Sequence, residues 1–328
     1  MHARSNHAPI YSRGVKCDHA GRADPCYRSN QVTKSNARRR AGLGFCVLLG
    51  VFALQANSAP GVPTLFIAGD STAAKYSGAN PQQGWGEPIA SLFDPARLRV
   101  VNAARGGRSS RTFITEGHWD KMLADVKAGD FVIIQFGHND VGALNQEPPG
   151  SSRPLRARGT IPGVGDEYAE IDNVVTNQHE TVYSFGHYLR KMVADTRARG
   201  ATPILMTLTQ RNLWREGRVE CPSDTYRSWT WRTARDQQLL FVDLTRITGD
   251  RYQRQGPEAV KAQFGSDAVH TNLAGAEANA ADVVSGLLTL PKLKFGSRLS
   301  PAGRAVPVDP GPPKDSVCPA LEDAATSR

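Results

Sequence analysis

The sequence predicts an α/β fold, a three-layer α/β/α sandwich built on a parallel sheet of about five strands. Three observations point there. Short β-branched and aliphatic runs recur along the chain, and they are continuous rather than alternating, as strands buried on both faces of a parallel sheet are. Stretches of helical periodicity separate them, which is the signature of right-handed β-α-β crossovers. At 328 residues the chain is also long enough to bury a sizeable core.

Taken in order, the expected strands are TLFIAG from Thr64 to Gly69, RLRVVNAA from Arg97 to Ala104, DFVIIQFG from Asp130 to Gly137, TPILMTLT from Thr202 to Thr209 and LLFVDLT from Leu239 to Thr245. The expected helices are GWGEPIASLF (84–93), HWDKMLADV (118–126), TVYSFGHYLRKMVADTRARG (181–200), SWTWRTARDQQ (228–238) and NLAGAEANAADVVSGLLT (272–289). Residues 141–180 carry Gly, Pro and charge without a period, and an internal stretch of that length is functional or unstructured. No internal repeat is evident. The folded domain is expected over residues 59–290, with a leader over 1–58 and a Pro-rich C-terminal tail over 291–328.

A formal charge of +9 suggests a polyanion partner until it is divided along the chain. Residues 1–58 hold nine Lys or Arg against two Asp, so the rest of the chain carries a net charge of only +2. Nucleic acid is therefore not an expected partner. In the leader, ARRR (37–40) precedes the apolar AGLGFCVLLGVFAL (41–54) and then small residues, the pattern of a secretory signal peptide cleaved near Ser58. The apolar run is short of the roughly 20 residues of a membrane span, so no stable membrane association is expected once it is removed. An uncleaved anchor is the competing reading. The expected location is secreted or periplasmic. Of the five cysteines, Cys17, Cys26 and Cys46 lie in the leader. Cys221 and Cys318 are left either to pair, as an exported protein permits, or to remain free thiols.

Parallel sheets gather functional groups at the carboxyl ends of their strands. There the first strand delivers Asp70-Ser71, the second Gly106-Gly107, and the third GHND with Asn139. GSDAVHTN, directly before the last helix, carries Asp267 and His270. Serine needs a base to act as a nucleophile, and an imidazole titrates in the right range. Asp267, three residues before His270, can reach its distal ring nitrogen through a tight turn and stabilise the imidazolium. The amides of Ser71 and Gly107 and the side chain of Asn139 are candidate oxyanion donors, and Gly107 allows close backbone approach. Each piece has a bland reading alone: GDS as a turn, GHND as a strand-end turn, His270 as a cap. Their order along the chain, each at a strand end, favours a catalytic site with Ser71 as nucleophile.

AGDSTAAKY, GWGE, VNAARGGRSSRTFITEG, GDFVIIQFGHND and HTNLAGAE resemble the SGNH (GDSL-type) hydrolases, and within them the rhamnogalacturonan acetylesterase group, over about residues 63–285. RARGTIPGVGDEYAEIDN and RNLW are similar to its bacterial members, which implies an ordered insertion. The resemblance implies a flavodoxin-like sheet, no metal or other cofactor, Ser71 as nucleophile, Asp267 and His270 as its partners, and deacetylation of acetylated pectic polysaccharide or oligosaccharide. One departure bears on substrate preference: the group often reads Asp-His-x-His where this chain has Asp267-Ala268-Val269-His270.

Rival chemistries lack their signatures. There is no GxSxG elbow, Lys75 stands one residue too far from Ser71 for a Ser-x-x-Lys site, and HETVY lacks the second histidine of a zinc-protease helix. Arg108 and Arg111 are candidates to contact uronate carboxylates, with salt bridges elsewhere as the alternative. His179 and His138 are candidates to shape the pocket, His138 otherwise packing beside Asn139. Trp214 is a candidate for stacking on a sugar, against the ordinary reading of a packed tryptophan. The expected activity is acetyl removal from rhamnogalacturonan. The alternatives are an esterase of other specificity, for acetylxylan or lipid, and a non-catalytic carbohydrate-binding protein on the same scaffold.

Overall fold

The five continuous apolar runs form one sheet because each supplies side chains to two cores at once. The computed structural model describes residues 61–77, 81–147, 149–151, 155–221 and 225–321. The leader expected over 1–58 and the end of the tail lie outside the described residues. The elements, in chain order, are β1 (Thr64–Gly69), a 3-10 turn (Pro88–Leu92), β2 (Arg99–Asn102), α1 (Ser110–Thr115), α2 (His118–Leu123), β3 (Phe131–Gln135), β4 (Tyr168–Asn173) and β5 (Gln178–Tyr183). There follow α3 (Phe185–Ala198), β6 (Thr202–Met206), β7 (Trp214–Arg215), β8 (Arg218–Val219), α4 (Tyr226–Asp236), β9 (Leu240–Val242), α5 (Leu244–Gln255), α6 (Pro257–Lys261) and α7 (Leu273–Leu287).

The main sheet runs β2-β1-β3-β6-β9, all parallel, the flavodoxin-like order expected from the resemblance. Leu65, Ile67, Ile133, Ile204 and Met206 face one core with α7, while Phe66, Ala68, Val132, Ile134 and Leu205 face the other with α1 to α4. Both cores are apolar, so both faces of β1, β3 and β6 are apolar and their runs show no alternation in sequence. At the sheet edge β2 leaves Arg99 and Val101 exposed, which corrects the expectation of burial on both faces there. Local chemistry sets the helix starts. Ser109 and Thr112 form a capping box on α1, Ser184 caps α3 through the His187 amide, and Asn272 caps α7 through the Gly275 amide.

Several expectations need correction. Residues 84–93 make only the 3-10 turn, because Gly84 and Gly86 lie flat against the Ala73–Ala74 backbone, where a Cβ would come within 2.4–2.5 Å of it. The first part of the helix expected over 181–200 is strand β5, paired antiparallel with β4, and the helix starts only after Ser184. The insertion is therefore partly a hairpin. The strand expected over 239–245 stops at Val242, because Asp243 caps α5. The Pro-rich segment from Pro291 is not a loose tail over its described part. Phe295 and Leu299 are buried in the α7-side core, Leu299 bridges Phe93, and Cys318 forms a disulfide with Cys221. Two large apolar side chains and one covalent tie outweigh the Pro-rich composition.

Candidate active site

The crevice lies at the carboxyl edge of the sheet, where the connections from β1 and β3 leave in opposite directions, the switch point of an open α/β sheet. After β1 the chain turns sharply. The Asp70 carboxylate accepts from the Thr72 amide and hydroxyl, both at 2.9 Å, and its carbonyl accepts from the Ala73 and Ala74 amides. This turn presents Ser71, whose Oγ lies 2.9 Å from His270 Nε2. His270 Nδ1 lies 2.7 Å from Asp267 Oδ2. The other Asp267 oxygen accepts from the Val269 amide at 2.8 Å and the His270 amide at 2.7 Å, so one carboxylate both shapes the loop and orients the ring. Burial pushes the Asp267 carboxyl upward, but the hydrogen bonds from the His270 ring and from these two amides outweigh it and hold the group below its usual range. An ionised Asp267 fixes the proton of neutral His270 on Nδ1 and leaves Nε2 to accept from Ser71. Thr271 hydrogen-bonds Gln83 in both directions, tying the histidine loop to the loop after β1.

The β2 loop supplies Gly106 and Gly107, and Gly107 is left-handed at φ 78°. Its carbonyl neighbour, that of Arg108, accepts from Asn139 Nδ2 at 2.9 Å. One amide hydrogen of Asn139 thus anchors the glycine loop, and the second remains for a ligand. Among the described residues, the amides of Ser71 and Gly107 donate to no protein acceptor. Beneath them Asp140 accepts from the Ser110 amide and hydroxyl, joining the start of α1 to the β3 loop. Burial pushes this carboxyl up to about 7, and the Ser110 hydrogen bonds only partly offset it. His138 is buried beside Asn139, and burial lowers it to about 4, so it is neutral at neutral pH.

Ser71, Gly107, Asn139 and His270 open on a cleft of about 680 Å³. Arg108 lines it, as expected, but its Nε donates to Glu116 at 2.7 Å. His138 lines it too. His179 does not: it lies exposed on β5, opposite Asp172 in the hairpin register, and pairs with Asp172 and Glu170. Trp214 does not either. It sits on β7, bonded to Asn212 at 2.7 Å and packed with Val219, Tyr252, Val260 and Phe264. Arg111 is fully buried, forked onto Glu180 and onto the carbonyls of Leu144 and Gly159, so it cannot meet a substrate. Sequence reasoning missed Arg156, Arg158 and Arg211, which all line the cleft. Arg156 and Arg158, two residues apart in RARG, were the signal available, but nothing in an aperiodic segment showed that it folds over the glycine loop. Among the described residues, no group of three or more His, Cys, Asp or Glu could hold a metal ion.

A hydroxyl, an imidazole and a carboxylate in hydrogen-bonded series, beside unclaimed amide donors, can carry out acyl transfer through the serine. Comparisons with known proteins give the same class, and the protein is a carboxylic ester hydrolase. It belongs to the GDSL-like Lipase/Acylhydrolase family, whose model matches residues 67–278. A protein of Emericella nidulans named rhamnogalacturonan acetylesterase is 30% identical over 212 residues, which are 65% of this chain and 79% of that protein. A Bacillus subtilis protein named probable rhamnogalacturonan acetylesterase is 28% identical over 231 residues, 69% of this chain and 93% of that one. The crystal structure of the YxiM protein of Bacillus subtilis superposes with a TM-score of 0.54 at 25% identity, over 70% of this chain. This chain spans 57% of that structure's length.

Proposed function

We propose that the protein is an exported serine esterase that removes acetyl groups from rhamnogalacturonan or from oligosaccharides derived from it. The Ser71–His270–Asp267 series carries this reading. Ser71 Oγ attacks the acetyl carbonyl while His270 Nε2 takes its proton, and Asp267 stabilises the imidazolium. The carbonyl oxygen becomes an oxyanion held by the amides of Ser71 and Gly107 and the second amide hydrogen of Asn139. Collapse breaks the ester C–O bond, and His270 returns the proton to the departing sugar hydroxyl, leaving an acetyl-enzyme. Water, deprotonated by His270, then releases acetate and regenerates Ser71.

The substrate rests on the names carried by the relatives from Emericella nidulans and Bacillus subtilis and on the cationic cleft. Export rests on the leader sequence, with support from a disulfide between Cys221 and Cys318, a bond that oxidising compartments favour. The test is acetate release from acetylated rhamnogalacturonan and acetylated xylan side by side. Release from the pectic polymer alone, lowered roughly 10⁴-fold or more in Ser71→Ala, is the expected result. Release from xylan alone would overturn the substrate. No release from any ester would overturn the chemistry and leave a binding protein. N-terminal sequencing of the exported protein tests cleavage near Ser58.

A further inference from the structure

The cleft around Ser71 is walled by guanidinium groups from three separate loops: Arg108 after β2, Arg156 and Arg158 from the insertion, and Arg211 after β6. Among the described residues its lining includes a single carboxylate, Glu116, which Arg108 already engages. The site therefore holds an excess of fixed positive charge, although the chain beyond its leader is nearly neutral. Charge concentrated in one concave site, and not spread over the surface, is aimed at a ligand.

The insertion sets where that charge falls. Arg158 Nη1 lies 3.4 Å from the carbonyl oxygen of Gly107 and donates to it. A Cβ built on Gly107 would lie 3.7 Å from Arg156 Nη1 and 3.9 Å from Arg158 Nη1. Both guanidiniums thus stand beside the glycine whose amide is assigned to the oxyanion, within the span of one sugar ring from the reacting carbonyl. Ala157, buried between them, pins the segment. Arg156 is exposed to the cleft, where a planar fork can take a carboxylate through two parallel hydrogen bonds.

We infer that Arg156, with Arg158 behind it, forms a carboxylate subsite that takes the acid group of a uronate unit at or next to the acetylated sugar, and so selects acidic over neutral polysaccharide. This rests on the proposed reading of the cleft as a polysaccharide site and assigns its specificity to the insertion. A neutral xylan backbone offers these arginines hydroxyl and ether acceptors but no charge to pair with, and so repays the stripping of their water less fully than a carboxylate does.

The test uses hydrolysis of an aryl acetate as the reporter, with unacetylated oligogalacturonate, its carboxyl-reduced counterpart and inorganic phosphate as competitors. Oligogalacturonate is expected to compete at least tenfold more strongly than the reduced oligomer. Arg156→Gln should raise its inhibition constant about tenfold or more, Arg156→Lys should restore part of the loss, and Arg158→Gln should act in the same direction. The constant for the reduced oligomer should stay within about twofold in each variant. Equal inhibition by the charged and reduced oligomers, or an oligogalacturonate constant that no substitution moves, would overturn the inference. Phosphate competing as strongly, and losing as much in Arg156→Gln, would overturn it in favour of a general anion site. Failure of the deacetylation reading has a different signature: no acetate from any polysaccharide, with oligogalacturonate inhibition and its Arg156 dependence intact.

Discussion

Asn139 works in two directions at once, holding the Arg108 carbonyl with one amide hydrogen and facing the cleft with the other. Substituting it removes the anchor of the glycine loop and, in the proposed mechanism, a donor to the oxyanion. Asn139→Ala should lower kcat by about 10²–10³ with a much smaller change in KM, read by steady-state hydrolysis of an aryl acetate. His138 and Asp140 flank Asn139 and are both buried, and they set opposite pH dependences of stability. The folded protein holds His138 near 4 against an ordinary value of 6.5, so it refuses a proton that the unfolded chain accepts. Its share of stability is present above about 6.5 and is lost as pH falls toward 4. Asp140 is raised from 3.8 to about 7, so its share is present below about 3.8 and is lost as pH rises through 7. Melting temperatures measured from pH 4 to pH 8 should show His138→Gln flattening the acid limb and Asp140→Asn flattening the neutral one.

Among the elements, the β4–β5 hairpin is held to α1 chiefly by Arg111. Its two bonds to Glu180, at 2.7 and 2.6 Å, and two more to main-chain carbonyls leave no part of the guanidinium exposed. Arg111→Met strands Glu180 and two carbonyls, and should cost about 3 kcal/mol in denaturant unfolding. This clamp also shows what the sequence could and could not convey. The sheet was legible because burial on both faces leaves its mark on every residue of β1 and β3. Ser71, Asn139, Asp267 and His270 were legible because each sits where a strand ends or a helix begins, and such junctions can be located by pattern. The hairpin was not, since its charged residues pair with one another across the register, as Asp172 does with His179, and leave no apolar alternation. The arginines of the cleft escaped for a related reason: which of several arginines is sequestered and which faces a ligand is decided by contacts made far along the chain. Arg111 and Arg156 look alike in sequence, yet one is wholly buried and the other exposed.

Across the whole molecule, the disulfide joins Cys221, in the connection before α4, to Cys318, 97 residues later. It closes a segment containing α4 to α7 and fastens the Pro-rich strap whose Phe295 and Leu299 complete the core under the sheet. Cys318→Ser should cost roughly 2–5 kcal/mol, visible as a lower melting temperature that reductant reproduces in the wild type. The span of the Ser71–His270 contact has a consequence of its own under the proposed mechanism. Ser71 and His270 meet across 199 positions, one supplied by the first strand and the other by the loop before the last helix. During synthesis on the ribosome, every crossover must therefore be complete before the Ser71 hydroxyl meets the His270 ring. A nascent chain stalled short of residue 270 should be hydrolytically silent however much of its sheet has formed, and the first appearance of ester cleavage would time the docking of α7. The enzyme thus carries a built-in reporter for the closing step of its own folding.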